Sequence, residues 1–341
     1  MALDLVPLWT AILAFGVFMY VLLDGFDLGV GILFPFAPDA ASRDAMMNSV
    51  APIWDFNETW LVLGGVGLLA AFPLAFSIVI PAVYFPILFM LIGLIFRGVA
   101  FEFRHLSGRA GYWDASFFVG SLIATFAQGL VLGTYVQGIA VEGRAYTGGA
   151  FAWLTPFAVC TGAGLIAGYG LLGACWLVFK TDGELQDWAR HKARQFTIGV
   201  ALFVALVSVW TPLLQPQIRE RWFGGEHPLW LWPVPLITLS LFVFLWRSVA
   251  RRHDAAPFAA ALGIFAMAYL GLGISIFPKV VPYTFDLWEA AATPKSHAFL
   301  MIGTLFMLPI ILGYTVFSYW VFRGKVSTAG KQQYSQSTFT T

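Results

Sequence analysis

Long apolar segments follow one another along almost all of this 341-residue chain. Charged residues make up only 11% of the sequence, whereas soluble domains contain about 25%. A helix needs about 20 apolar residues to cross roughly 30 Å of hydrocarbon. We count nine such segments, at 8–32, 53–73, 78–99, 115–138, 152–179, 196–214, 229–247, 258–277 and 298–322. The sequence therefore predicts an all-α integral membrane protein with nine transmembrane helices.

The polar segments between these helices are too short to form a separate soluble domain. We predict one transmembrane domain over residues 1–325, surrounded by the lipid bilayer. Residues 326–341 are rich in Ser, Thr and Gln, which predicts a disordered cytoplasmic tail. The net charge of +1 gives no basic surface for nucleic acid, so we expect no nucleic-acid partner.

Lysine and arginine are distributed unevenly between the two sides of the predicted bundle. The loops after the first, third, fifth and seventh helices, together with the C-terminus, hold 14 of the 19 basic residues. Cytoplasmic loops carry the excess of Lys and Arg in membrane proteins. We therefore predict that the N-terminus faces outward and the C-terminus faces the cytoplasm.

The histidines are poorly placed to bind a haem. A haem within a helix bundle needs axial His, Met or Cys side chains at membrane depth. We assign His105, His191, His227 and His253 to loops and His297 to the mouth of a helix. The sequence also contains no Cys and His spacing typical of a zinc site. We therefore predict that this chain alone binds no haem, no metal and no other cofactor.

Acidic residues stand out inside the first two apolar segments. Asp24 and Asp27 are one helical turn apart near the predicted cytoplasmic end of the first helix, and Asp55 and Glu58 open the second. Arg97 lies at the cytoplasmic end of the third helix. Helices joined by short loops tend to pack side by side, so we predict one polar cluster. Burial and a nearby arginine shift the proton affinity of a carboxyl group in opposite directions, which suits proton transfer.

Structural interpretations of the same residues stay open. Asp55 and Glu58 have the spacing of a capping box at a helix start, and Asp24 or Asp27 is a candidate ion-pair partner of Arg97. In functional terms, the alternatives to a proton path are a secondary transporter with a coupling ion at Asp24 and Asp27, or a purely structural partner subunit.

Two weaker patterns predict helix packing. Gln128, in the fourth segment, predicts a hydrogen bond between helices. Gly25 and Gly29, and likewise Gly164 and Gly168, are spaced so that two helix backbones can approach closely.

Several motifs together resemble one known family, subunit II of cytochrome bd-type quinol oxidases. They are DGFDLGVG at 24–31, NSVAPIWDFNETW at 48–60, FRGVAFEFR at 96–104, FP at 277–278 and PIILGYT at 309–315. The sequence FAQG at 126–129 is most similar to the cyanide-insensitive branch of that family. The resemblance implies two four-helix bundles, at about 8–138 and about 152–277, plus one additional helix at about 298–322.

The resemblance also implies a partner and a location. The partner is a larger subunit I that carries two b haems, haem d and the quinol site, and a small single-helix subunit is a further candidate. The complex would oxidise quinol, reduce oxygen to water, take up cytoplasmic protons, and reside in the bacterial inner membrane.

For the site, the resemblance implies that Asp55 and Asp27 belong to a proton path, and that Arg97 is the arginine of the third motif. One residue differs from the family pattern: Phe56 stands where relatives usually have glycine.

Overall fold

The computed structural model describes residues 4–104, 106, 110–224 and 228–326, which are almost entirely helical. The helices are α1 Val6–Leu33, α2 Ala40–Val50, α3 Trp54–Ala71, α4 Pro73–Ala82, α5 Tyr84–Phe103, α6 Ala110–Gln137, α7 Pro156–Lys180, α8 Gly183–Leu214, α9 Pro216–Phe223, α10 Pro228–Leu231, α11 Pro233–Ala250, α12 Ala255–Ile276, α13 Leu287–Ala290 and α14 Pro294–Val321. The strands form two short antiparallel pairs, β1 Val141–Glu142 with β2 Ala145–Tyr146, and β3 Lys279–Val281 with β4 Phe285–Asp286. The all-α prediction is confirmed.

Eight of the described helices are long and apolar enough to cross a membrane: α1, α5, α6, α7, α8, α11, α12 and α14. The second predicted segment forms α3, which has 18 residues but carries Asp55, Asn57 and Glu58 near its start. The chain therefore has the length and composition of a multi-pass membrane protein. That α3 makes the ninth crossing stays a prediction.

The third predicted segment, 78–99, was placed too early. The chain breaks at Val83, and α5 begins at Tyr84. Pro86 explains the break, because it has no amide hydrogen to donate to the carbonyl of Ala82. The helix that crosses the membrane therefore starts six residues later than predicted.

The predicted loop 180–195 is also mostly helical, because α8 begins at Gly183 rather than at 196. Leu185, Ala189 and Ala193 recur every four residues and are all buried, so this segment packs one face against the core. The intervening charged residues hid this apolar face in the sequence.

Helix α7 is the most buried of the eight, and α1 and α6 pack directly against it. A Cβ atom added to Gly29 would lie 1.8 Å from the carbonyl oxygen of Tyr169, and one added to Gly173 would lie 2.3 Å from the carbonyl carbon of Gly29. The predicted backbone approach at Gly29 is therefore confirmed. Gly164 and Gly168 instead face the phenyl side chains of Phe203 and Phe265, so that pair makes room for rings rather than for a helix backbone.

In chain order, one group of helices comprises α1, α3, α5 and α6; the other comprises α7, α8, α11 and α12; α14 packs on α3. These chain-order groups of helices also pack on each other, because α7 contacts α1 and α6 as extensively as it contacts α8. The division into two four-helix bundles plus one additional helix stays a prediction.

Helix α14 is fastened at both ends. At its start, the ring Nε2 of His297 bonds to the carbonyl oxygen of Ala71 at 2.9 Å. Beyond its other end, Lys180 donates through Nζ to the carbonyl oxygens of Phe322 and, at 2.7 Å, Gly324. The amide of Val326, the first residue of the predicted tail, donates to the carbonyl of Lys180 at 2.7 Å. The rest of that tail, 327–341, lies outside the described residues.

Candidate functional site

A buried arginine connects three helices at the centre of the predicted polar cluster. Arg97 on α5 donates through Nη1 to Oδ1 of Asp24 on α1 at 2.5 Å, and through Nη2 to Oε2 of Glu58 on α3 at 2.9 Å. Asp24 and Arg97 are fully buried, whereas the Glu58 side chain is 28% exposed. Of the two candidate acids, Asp24 forms the predicted ion pair with Arg97. Glu58 also binds Arg97 and is the partly exposed member of the group.

Local packing holds Arg97 out of contact with solvent. Helix α6 approaches α5 so closely that a Cβ atom on Gly120 would lie 2.8 Å from the backbone nitrogen of Arg97. On another side, the guanidinium lies 5.9 Å from the ring centroid of Trp54, and Trp54 stacks on Phe101. A guanidinium over an aromatic face is favourable, so these rings help to fix Arg97 between the two acids.

The second acid of the first motif belongs to a separate hydrogen-bonded chain. Asn57 on α3 donates through Nδ2 to Oδ2 of Asp27 at 2.7 Å, and Tyr319 on α14 donates its hydroxyl to Oδ1 of Asn57 at 2.9 Å. Because Tyr319 occupies the Asn57 oxygen, the amide nitrogen is directed at Asp27. Three helices therefore orient this carboxyl group.

Each buried acid keeps one oxygen that is not hydrogen-bonded within the described part of the chain. These atoms are Oδ2 of Asp24 and Oδ1 of Asp27. A carboxyl oxygen that accepts no hydrogen bond can take up a proton without the loss of an existing hydrogen bond.

Asp55 does not join this cluster. It is exposed, and its side chain makes no hydrogen bond or ion pair with the other described residues. The structure therefore brings Asp24, Asp27, Glu58 and Arg97 together and places Asp55 outside their contacts. The reason is helical geometry, since Asp55 lies two residues before Asn57, about 200° around α3 from the side chain that bonds to Asp27.

The capping-box interpretation of Asp55 and Glu58 is also wrong. The N-cap of α3 is Ile53, no side chain caps that end, and Asp55 falls within the first turn. The ring of Phe56 packs edge-on against Tyr314 of α14 at 4.9 Å between centroids, so it leaves Asp55 uncovered.

Sequence reasoning gave no functional role to Asn57 or Tyr319. Asn57 lies in the same motif as Asp55, so that motif could have identified it as a candidate site residue. Tyr319 is 262 residues away from Asn57 along the chain, and only the packing of α14 on α3 brings it to the site.

The predicted interhelical role of Gln128 is confirmed. The hydroxyl of Tyr169 on α7 donates to Gln128 on α6, and Gln128 donates to the hydroxyl of Tyr20 on α1, each at 2.8 Å. Tyr20 lies one turn before Asp24 on α1, so this chain of neutral groups continues from the acid site into the bundle.

The described histidines do not fit a haem. His297 is buried, but its Nε2 is bonded to the carbonyl of Ala71. His191 and His253 are exposed, and His105 and His227 lie outside the described residues. Within the described part of the chain, no group of three or more His, Cys, Asp or Glu side chains is arranged to hold a metal ion.

Comparisons with known proteins agree over nearly the whole chain. The family described as "Cytochrome bd terminal oxidase subunit II" matches residues 5–322. The chain is 27% identical to "Cytochrome bd-I ubiquinol oxidase subunit 2" of Escherichia coli (strain K12), over 90% of this chain and 91% of that protein. It is 28% identical to "Cytochrome bd ubiquinol oxidase subunit 2" of Bacillus subtilis (strain 168), over 94% of this chain and 96% of that protein.

A solved structure shares the fold. A chain of the bd oxidase from Geobacillus thermodenitrificans superposes with a TM-score of 0.73 at 18% identity, covering 94% of this chain and 99% of that one. With this fold, and with a family match that includes every residue of the acid site, the chain belongs to the family of cytochrome bd terminal oxidase subunit II.

Proposed function

We propose that this chain pairs with a larger, haem-bearing subunit I, and that the complex oxidises quinol and reduces oxygen in a bacterial cytoplasmic membrane. The names of the relatives, which are ubiquinol oxidase subunits, support quinol as the electron donor. Haem b and haem d, held by subunit I, would supply the electron transfer and oxygen chemistry. A small single-helix subunit and the cyanide-insensitive branch stay predictions from the sequence.

Within that complex, we propose that this chain conducts protons from the cytoplasm. The observation that carries the proposal is the group of three carboxyl side chains, Asp24, Asp27 and Glu58, gathered at one arginine between three helices. Two of the acids are fully buried, and Glu58 alone reaches the surface. Water therefore meets the site at Glu58, at the end of the bundle that the Lys and Arg distribution assigns to the cytoplasm.

The exposed face of α3 supports a role for Asp55 at the contact with subunit I. Asp55, Thr59, Val62, Val66 and Leu69 follow helical spacing and are all exposed, so they form one uncovered stripe. An acid at the end of an otherwise apolar stripe is unfavourable against lipid. We infer that subunit I covers this stripe, which places Asp55 where protons would leave this chain.

Removing the proton-carrying group at the entrance tests the proposed path. In the purified complex, Glu58→Gln is expected to lower quinol-driven oxygen consumption by about tenfold or more, since an amide cannot carry a proton. The glutamine oxygen still accepts from Arg97, so assembly should be retained. The matched control is Glu102→Gln, an exposed acid at the end of α5. Equal oxygen consumption by Glu58→Gln and wild type, in fully assembled complex, would contradict proton entry at Glu58.

Tyr319 provides a second test, because it acts on Asp27 only through Asn57. In Tyr319→Phe the ring still fills its place beside Trp176, but Asn57 loses the donor that fixes its amide. We expect slower oxygen consumption and a pH profile displaced toward higher pH, since the charged Asp27 carboxylate is held less firmly. The control is Tyr314→Phe on the same helix, whose side chain packs against Phe56. A purely structural role for Tyr319 would leave the pH profile unchanged.

A further inference from the structure

Two arginines at one end of α11 are left without an ion-pair partner among the described residues. Arg247 and Arg251 are exposed and four residues apart, so they lie on the same face of the helix. Like charges with this spacing repel each other. An anion bound between the two side chains would offset this repulsion.

Three neighbouring basic residues have ion-pair partners within the described part of the chain. Arg190 and Lys325 both bind Asp254, each at 2.6 Å, and Arg252 pairs with Asp187. The hydrogen bond from Lys325 holds the pKa of the Asp254 carboxyl group below its usual range. Asp254 and Asp187 are therefore engaged by other basic residues, and neither forms an ion pair with Arg247 or Arg251.

An apolar surface leads directly to the two arginines. Leu239 and Val243 precede Arg247 and Arg251 at four-residue intervals, and Phe244 lies beside them. These three apolar side chains are 43–63% exposed. Together with Arg247, Arg251 and His253 they line a surface cavity of about 500 Å³. The cavity is thus apolar toward the membrane interior and cationic at the helix end.

We propose that this cavity binds an anionic phospholipid. Its phosphate would lie between Arg247 and Arg251, and its acyl chains would lie along Leu239 and Val243. The pattern of charge supports this occupant, because a lipid phosphate is the anion present at that depth and basic pockets near helix ends recognise such headgroups. An acidic segment of a partner protein would match the arginines but would leave the apolar surface uncovered.

The proposed lipid site is independent of the proton path. Arg247 lies in the last turn of α11 and Arg251 is its C-cap residue. Helix α11 packs on α8 and α12, whereas the acid site lies on α1, α3 and α5. Loss of lipid binding and loss of oxidase turnover can therefore be measured separately in the same variants.

The test uses the whole oxidase complex, delipidated in detergent and titrated with phosphatidylglycerol or phosphatidylcholine. Lipid adducts are counted by native mass spectrometry. We expect the double variant Arg247→Gln/Arg251→Gln to bind phosphatidylglycerol about thirtyfold more weakly than wild type, since each basic residue contributes about a factor of five. The control is Arg252→Gln, which removes one positive charge from a residue already paired with Asp187 and should bind as wild type does. Inorganic phosphate should not compete, because it lacks acyl chains.

The haem spectrum of each preparation shows whether the complex is assembled. The variant Arg247→Lys/Arg251→Lys keeps both charges and should bind phosphatidylglycerol nearly as wild type does. The proposal is overturned if the double glutamine variant retains wild-type phosphatidylglycerol binding. It is equally overturned if phosphatidylcholine binds wild type as tightly as phosphatidylglycerol, or if the Arg252→Gln control loses as much binding as the double variant.

Discussion

Asp27→Asn is expected to lower quinol-driven oxygen consumption by about tenfold or more while the complex remains assembled, because the asparagine side chain cannot take up and release a proton. Asparagine has nearly the same shape, and its oxygen can still accept from Nδ2 of Asn57, as Oδ2 of Asp27 does. Only the exchangeable proton is lost. The measurements are oxygen consumption per haem and the yield of haem-containing complex.

Asp55→Asn extends this prediction to the exposed face of α3. If Asp55 passes protons to subunit I, its asparagine variant should also be slow, although its side chain has no partner among the described residues. Asp187→Asn, at an exposed ion pair on α8, serves as the control and should keep wild-type turnover. Unchanged turnover in both Asp27→Asn and Asp55→Asn would remove the proton path and leave this chain as a structural partner of subunit I.

Arg97→Met is expected to prevent assembly of a stable complex. The substitution leaves Asp24 buried without its cation and also removes the partner of Glu58. Breaking a buried ion pair in this way costs about 3–5 kcal/mol, which is a large part of the 5–15 kcal/mol that stabilises a typical domain. We expect little haem-containing complex in the membrane and a lower thermal midpoint for any that is purified.

The second partner of the ion pair gives the matched control for this variant. The double variant Asp24→Asn/Arg97→Met removes the fully buried charge that Arg97→Met leaves unpaired, although Glu58 still lacks its partner. It should therefore restore part of the yield and of the thermal midpoint. Comparison of the two single variants with the double variant isolates the coupling between these side chains. An Arg97→Met complex that assembles and melts as wild type does would contradict a stabilising role for the pair.

The fold followed from the sequence because apolar length alone identifies helices that cross a membrane. The predicted boundaries of two helices were wrong, because overall apolar length does not reveal a single buried face or the effect of one proline. The first turns of α8 are charged overall yet bury Leu185, Ala189 and Ala193, and the break before α5 depends on a single proline. Whether α3 crosses the membrane is harder to predict, because the acids near its start make the segment less apolar.

The acid site could be predicted only in part. Asp24, Asp27, Glu58 and Arg97 were identified because ionisable residues inside apolar segments are rare, and short loops bring their helices together. Asp55 shares the spacing but faces outward, because it lies about 200° around α3 from the buried Asn57. Tyr319 could not be predicted, because a hydrogen bond between the last and the third helix leaves no local pattern.

The two fastenings of α14 have a consequence for assembly. His297 fixes one end of the helix to Ala71, and Lys180 fixes the chain just beyond the other end, while most of the helix between them remains uncovered. A surface that is already ordered loses little conformational freedom when a second protein binds to it. Any subunit that docks along α14 would therefore bind a helical surface that is already ordered. Its affinity would depend on the complementarity of the two surfaces rather than on the free energy of ordering the helix.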